Sequence, residues 1–140
     1  MAIIDSSIQI NRPVEEVFAF LCNLENQKLM SPTFTSVTLH GPFAVGSRYT
    51  LSGAIMGRNF SVENEIAAIE PNKKLAIKTL APPPASPVTN TYNFEPSAGG
   101  TLLTTTMDAV IFPGTEGMVK PQLKGALDTA NAVLKKLLEG

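Results

Sequence analysis

Hydrophobic positions fall into two periods along this chain. From about Arg48 to Ile111 the period is two. Tyr49, Leu51, Gly53 and Ile55 alternate with Arg48, Thr50, Ser52 and Ala54, and Phe60, Val62, Asn64, Ile66 and Ala68 alternate with Ser61, Glu63, Glu65 and Ala67. The same rhythm returns in Leu75, Ile77 and Thr79, in Val88, Asn90, Tyr92 and Phe94, and in Leu103, Thr105, Met107, Ala109 and Ile111. Side chains of a strand point alternately to its two faces, so this pattern predicts antiparallel strands with one dry and one wet face. The segments GPFAVG, MGR, EPNKK, APPPASP and PSAGG separate them and carry the glycines, prolines and asparagines that turns require. Further strands around Ile4 to Ile10 and Phe34 to His40 bring the count to seven.

At the two ends the period is helical. Val14, Val17, Phe18 and Leu21 lie at i, i+3, i+4 and i+7 and share one face. Pro13 suits the first helical position, and Glu15 and Glu16 suit the first turn, near the positive end of the helix dipole. LENQKL predicts a short second helix. Leu123, Leu127, Ala130, Leu134 and Leu137 form a longer stripe near the C-terminus, with Met118 and Val119 extending it upstream. Pro121, without an amide proton, is expected to start or kink that helix.

The element order is strand, two helices, six strands and a long helix. An antiparallel sheet must cover its dry face, and the last helix is the one element large enough to do so. The expected fold is α+β: a seven-stranded curved antiparallel sheet wrapped around a long C-terminal helix, with an internal cavity. The 140 residues fit one domain, 1–140.

Composition narrows the functions. A net charge of -1 does not supply the concentrated basic face that a nucleic-acid partner needs, and it argues against electrostatic docking on anionic membranes. No apolar run is long enough to insert into a membrane. The N-terminus has no secretory pattern, and the single Cys22 forms no internal disulfide, so a cytoplasmic protein, monomer or homodimer, is the expectation. With one histidine and one cysteine, neither a metal site nor a cofactor is expected.

The motifs INRPVEEVFAFLCNLEN, IEPNKKLAIK, FEPSAGGTLLT and LDTANAVLKKLLEG, in this order and spacing, resemble the helix-grip superfamily that includes START domains, polyketide cyclases and the birch-pollen-allergen type. The resemblance covers nearly the whole chain. It implies a pocket between sheet and helix, and several of its members are enzymes; fold alone does not choose between these uses.

Candidate site residues follow from the strand phase. The dry face presents Tyr49, Leu51, Phe60, Val62, Asn64, Thr79, Asn90, Tyr92, Phe94, Thr105 and Met107, and the last helix adds Met118 and Leu123. The charged strand residues Arg48, Glu63, Glu65, Lys78, Glu95 and Asp108 fall in the opposite phase. The inward polar groups are therefore neutral hydroxyls and amides, which either orient a ligand or satisfy one another and ordered water. The resemblance implies a pocket mouth framed by LMSPT, MGR, APPPASP and FPGTEG; there Arg58 would be a rim cation able to pair with an anionic ligand group, and Met30 and Met56 an adaptable edge. His40 ends a strand at a turn, and no nucleophile elbow accompanies it, so no catalytic residue is assigned.

The expectation is thus a protein that binds or carries a small hydrophobic or amphipathic molecule. The alternatives are a polyketide cyclase, aromatase or dehydratase, and a protein-interaction module of the chaperone-cofactor kind.

Overall fold

The computed structural model describes residues 2–30, 34–55, 57–80, 88–109, 114 and 116–139. Strand β1 (Ala2–Ile10) leads into helix α1 (Val14–Cys22). A short 3-10 turn (Leu24–Asn26) runs into α2 (Gln27–Met30). Strands β2 (Phe34–His40), β3 (Arg48–Ile55), β4 (Arg58–Glu70), β5 (Lys74–Leu80), β6 (Val88–Ser97) and β7 (Gly100–Ala109) follow, then helix α3 (Glu116–Glu139). All pairings are antiparallel, in the order β1-β7-β6-β5-β4-β3-β2. The sheet is the expected curved one of seven strands, with α3 against it.

Local chemistry accounts for most of the boundaries. Pro13 stands one residue before α1, not at its first position: it is extended (ψ 151°), and its carbonyl accepts from Glu16 N at 3.0 Å and Val17 N at 3.1 Å. The β6–β7 loop has only Ala98 and Gly99 between the paired Ser97 and Gly100, and both have positive φ. That is the hairpin geometry whose twist matches the flanking strands. Pro121 lies inside α3, with a helical turn before it. The proline-rich loop 81–87, residues 31–33, Met56 and residues 110–113 lie outside the described residues, as do the side chains of Met30, Ile55 and Val119.

Two features depart from simple periodicity. In β4 the register shifts between Ile66 and Ala68: Ile66 faces Ile77, but Ala68 faces Ala76 and Ile69 faces Leu75. The bulge at Ala67 exchanges the faces of the residues beyond it, so Ile69, not Ala68, joins the core. In α3 the buried stripe is Leu127, Asn131, Leu134 and Leu138, while Leu137 is exposed. Asn131 belongs there because it is fully engaged. Its Nδ2 donates to Ser6 Oγ at 3.0 Å and to Ser6 O at 3.3 Å, and its Oδ1 accepts from Thr105 Oγ1 at 3.1 Å. Ser6 Oγ in turn donates to Asp128 at 2.5 Å. A line of polar bonds thus fastens α3 to β1 and β7, flanked by buried leucines.

The far end of α3 is clasped to the β1–α1 corner. Arg12 Nε donates to Leu138 O at 2.9 Å, Lys135 Nζ to Gln9 O at 2.7 Å, and Asn11 N to Glu139 Oε2 at 2.8 Å. Thr101, fully buried, donates its hydroxyl to Arg12 O at 2.8 Å. Gly100 makes this corner possible, because a Cβ there would lie 2.3 Å from Ile10 O. Gly125, by contrast, has open space around its Cβ position in an exposed part of α3. Gly100→Ala is therefore expected to lower the unfolding free energy by about 1–3 kcal/mol. Gly125→Ala is expected to raise it by about 0.5–1 kcal/mol through the helix propensity gained. Denaturant titration of both variants checks the opposite signs.

Candidate functional site

Tyr49 begins the site. It sits near the start of β3, is 1% exposed, and faces Asn64 of β4, which in turn faces Thr79 of β5. Ile77 of β5 faces Asn90 of β6, and Tyr92 lies two residues further along the same strand face. These side chains share the sheet's inner side because their spacing is even. With Leu51, they line a cavity of about 250 Å³, completed by Gln27 of α2, Phe34 of β2 and Ala130 of α3. None of these lining residues carries a formal charge.

The polar groups of the lining differ in state. Thr79 Oγ1 donates to Asn64 Oδ1 at 2.8 Å, and Asn64 Nδ2 donates to Val62 O at 3.3 Å. Gln27 Nε2 donates to the Tyr49 phenol oxygen at 3.0 Å. Asn90 Oδ1 is buried and has no hydrogen-bond partner among the described residues. Burial pushes the Tyr49 phenol up to about 12, with the bond from Gln27 opposing the shift and the neighbouring Tyr92 adding to it. Burial also pushes the Tyr92 phenol above its ordinary value. Both are neutral donors at physiological pH.

Of the residues expected from sequence, Tyr49, Leu51, Asn64, Thr79, Asn90 and Tyr92 are brought together here. The others lie elsewhere. Phe60 is half-buried and meets Phe34 edge to face at 6.1 Å, and Val62 lies beside Leu51 across the strands. Phe94 is buried under α1, edge to face with Phe18 at 5.3 Å. Thr105 is taken up by Asn131. Met107 pairs with Asn90 on one side and Ile4 on the other but does not line the cavity. Met118 is 71% exposed, in the turn of α3 before Pro121, and Leu123 is half-buried outside the cavity. Arg58 is exposed as the first residue of β4, paired with Ile55, and takes no part in the lining. A strand phase names a face, but it does not say which part of that face a helix covers.

Sequence reading missed Gln27, Phe34 and Ala130. Gln27 had a usable signal: it lies three residues after the buried Leu24, so a helical turn carries both to the same side. His40, the one histidine, lies on the outer side of the sheet. Its Nε2 is 2.7 Å from Thr50 Oγ1, and Thr50 donates to Glu63. Glu65 pairs there with Arg48 at 3.5 Å, in exposed surroundings where such a pair contributes little. Among the described residues, no group of three or more histidine, cysteine or acidic side chains is placed to hold a metal ion. Nor is any helix long and apolar enough to cross a membrane.

This geometry, a curved antiparallel sheet closed by a long C-terminal helix over an inner cavity, is the helix-grip fold. The sequence pattern of the family described as polyketide cyclase / dehydrase and lipid transport matches residues 1–139, and the chain belongs to that family. No curated protein matches it. Solved structures share the fold at low identity. Protein MLL2253 from Mesorhizobium loti is similar at 23% identity and a TM-score of 0.76, over 99% of this chain and 97% of that one. Ara h 8.0201 is similar at 16% identity and 0.73, over 99% of each chain. Norcoclaurine synthase from Thalictrum flavum, solved with dopamine and hydroxybenzaldehyde, is similar at 10% identity and 0.75, over 98% of this chain and 86% of that one.

The chain has two tyrosines and no tryptophan, so its near-ultraviolet titration reports on the cavity alone. A phenol whose pKa is raised by folding leaves stability untouched below its ordinary value of about 10 and removes stability as pH rises from there. Tyrosinate absorbance of the folded protein is therefore expected to stay low at pH 10. Stability should fall between about pH 10 and about pH 12. Ordinary titration of both phenols at about 10 in the folded protein would mean that the cavity is open to water.

Proposed function

We propose that this protein binds a small, neutral, amphipathic molecule in the cavity between α3 and strands β3 to β6. One observation carries the reading: an uncharged cavity of about 250 Å³ whose wall contains a buried amide oxygen, Asn90 Oδ1, with no partner among the described residues. A buried acceptor left without a donor costs about 1–3 kcal/mol, and a ligand hydroxyl or amine relieves that cost. Apolar contact with Phe34, Leu51, Ile77 and Ala130 supplies the remaining attraction.

Size restricts the ligand. A cavity of about 150 Å³ accommodates benzene, and pockets for drug-sized ligands begin at about 300 Å³. The cavity fits one or two rings, which favours a compact ring compound over a long-chain lipid. The lining also favours binding over proton transfer, because its titratable groups are two phenols held neutral. The ring-bearing ligands named for norcoclaurine synthase, which shares the fold, support a ring compound.

Native mass spectrometry of gently purified protein, followed by denaturing extraction, tests this directly; a stoichiometric neutral compound of one or two rings is the expected finding. Tyr92→Phe and Asn90→Ala are expected to weaken binding of that compound about three- to tenfold while leaving the thermal transition cooperative. Wild-type affinity in both variants would exclude this cavity as the site.

A further inference from the structure

The polar groups around the cavity divide into those already used and those free. Asn64 and Thr79 are bonded to each other, and the Asn64 amide also reaches Val62 O. Tyr49 is half used: its oxygen accepts from Gln27, so a lone pair is occupied. Its own hydrogen has no acceptor among the described residues. Tyr92, whose ring lines the same cavity, likewise has no described hydrogen-bond partner. Asn90 Oδ1 is a buried acceptor without a donor. Among the described residues, the free groups thus include two phenolic donors and one buried amide acceptor. Asn90 and Tyr92 stand two residues apart on one strand face, about 7 Å between their Cα atoms.

We propose, resting on the binding reading above, that the cavity selects neutral ring compounds carrying both a carbonyl and a hydroxyl. The carbonyl oxygen accepts from the phenols of Tyr49 and Tyr92, and the hydroxyl donates to Asn90 Oδ1. Gln27 is a positioning residue: by donating to the Tyr49 oxygen it leaves the phenolic hydrogen to the ligand. A carboxylate is disfavoured, because no charged side chain among the described residues lines the cavity to offset its desolvation. The phenols stay protonated far above neutral pH, so the donor pattern holds across the physiological range.

Four probes of nearly one shape test the pattern: para-hydroxyacetophenone, acetophenone, para-ethylphenol and ethylbenzene, titrated into the full chain by protein-observed NMR. The first is expected to bind tightest, about tenfold over each of the two probes that keep one group, with ethylbenzene weakest. Equal affinity of all four overturns the proposal and leaves the binding reading standing. No binding by any of them overturns both.

Gln27→Glu supplies the second test. Its carboxylate accepts the Tyr49 hydrogen and turns it away from the ligand, so the preference for carbonyl-bearing probes should fall to about threefold or less while ethylbenzene binding persists. Tyr92→Phe, which keeps the ring and loses the donor, should weaken acetophenone about fivefold and leave ethylbenzene unchanged. If both variants keep the wild-type preference, the phenols do not read the carbonyl and the proposal fails.

Discussion

The structure depends most on the hydrogen bonds that Asn131 makes inside the seam between α3 and the sheet. Leucines at 127, 134 and 138 provide the apolar burial, each of the order of 1.5–3 kcal/mol. Burial of that kind is non-directional and tolerates a helix turned or slid by a residue. Asn131 does not tolerate it. Its amide is satisfied only where Ser6 and Thr105 meet it, and any other rotation leaves buried polar groups unpaired at about 1–3 kcal/mol each. A polar group at a buried position can fix register in this way. Here the fixed rotation sets Ala130, the preceding residue, towards the cavity. The methyl of that alanine fills little, so the same bonds that anchor the helix to β1 and β7 leave space over β3 to β6.

Periodicity made the architecture legible. Seven strands, their order along the chain, the first helix and the long last one follow from where the apolar period changes between two and 3.6. The departures occur where a local event overrides the period. One extra residue at Ala67 turns the end of β4 over, and nothing in the run Ile66-Ala67-Ala68-Ile69 marks it, because all four residues suit a buried face. In α3, an apolar stripe drawn through Leu137 passes by Asn131. The observed stripe contains a polar residue whose burial makes sense only once Ser6 and Thr105, more than twenty residues away in sequence, are seen beside it.

The site was legible to a smaller extent, for a different physical reason. Strand phase sorts residues by face, and the inner face has more than one use. Near α1 it is packed solid, as Phe94 against Phe18 shows. Along β7 it is bonded to α3 through Thr105. Among the described residues, it borders the cavity towards β3, β4 and β5 and at the Asn90–Tyr92 end of β6. That division is set by the helix, not by the strands. It explains why Tyr49, Asn64, Thr79, Asn90 and Tyr92 converge while Thr105 and Phe94, with the same periodicity, belong to the framework. Gln27 and Phe34 reach the cavity from the α2 and β2 side and carry no signal in the strand alternation.

The cavity is also a statement about energy. Domains keep only about 5–15 kcal/mol of net stability. A dry void forfeits packing at roughly 24 cal/mol per Å³, so one of about 250 Å³ left empty would take a large part of that margin. Water admitted to the polar side returns hydrogen bonds to Asn90 and the phenols, but little of the dispersion lost along Phe34, Leu51 and Ile77. A ligand with a ring and two polar atoms returns both. The chain fills its core closely elsewhere, with Ile10, Val17, Leu75, Leu103 and Leu134 fully buried. Its two tyrosines and the unpaired amide oxygen of Asn90 all line this cavity. The polar residue at position 90 is difficult to explain as packing, since a leucine there would remove the unsatisfied acceptor and reduce the void together.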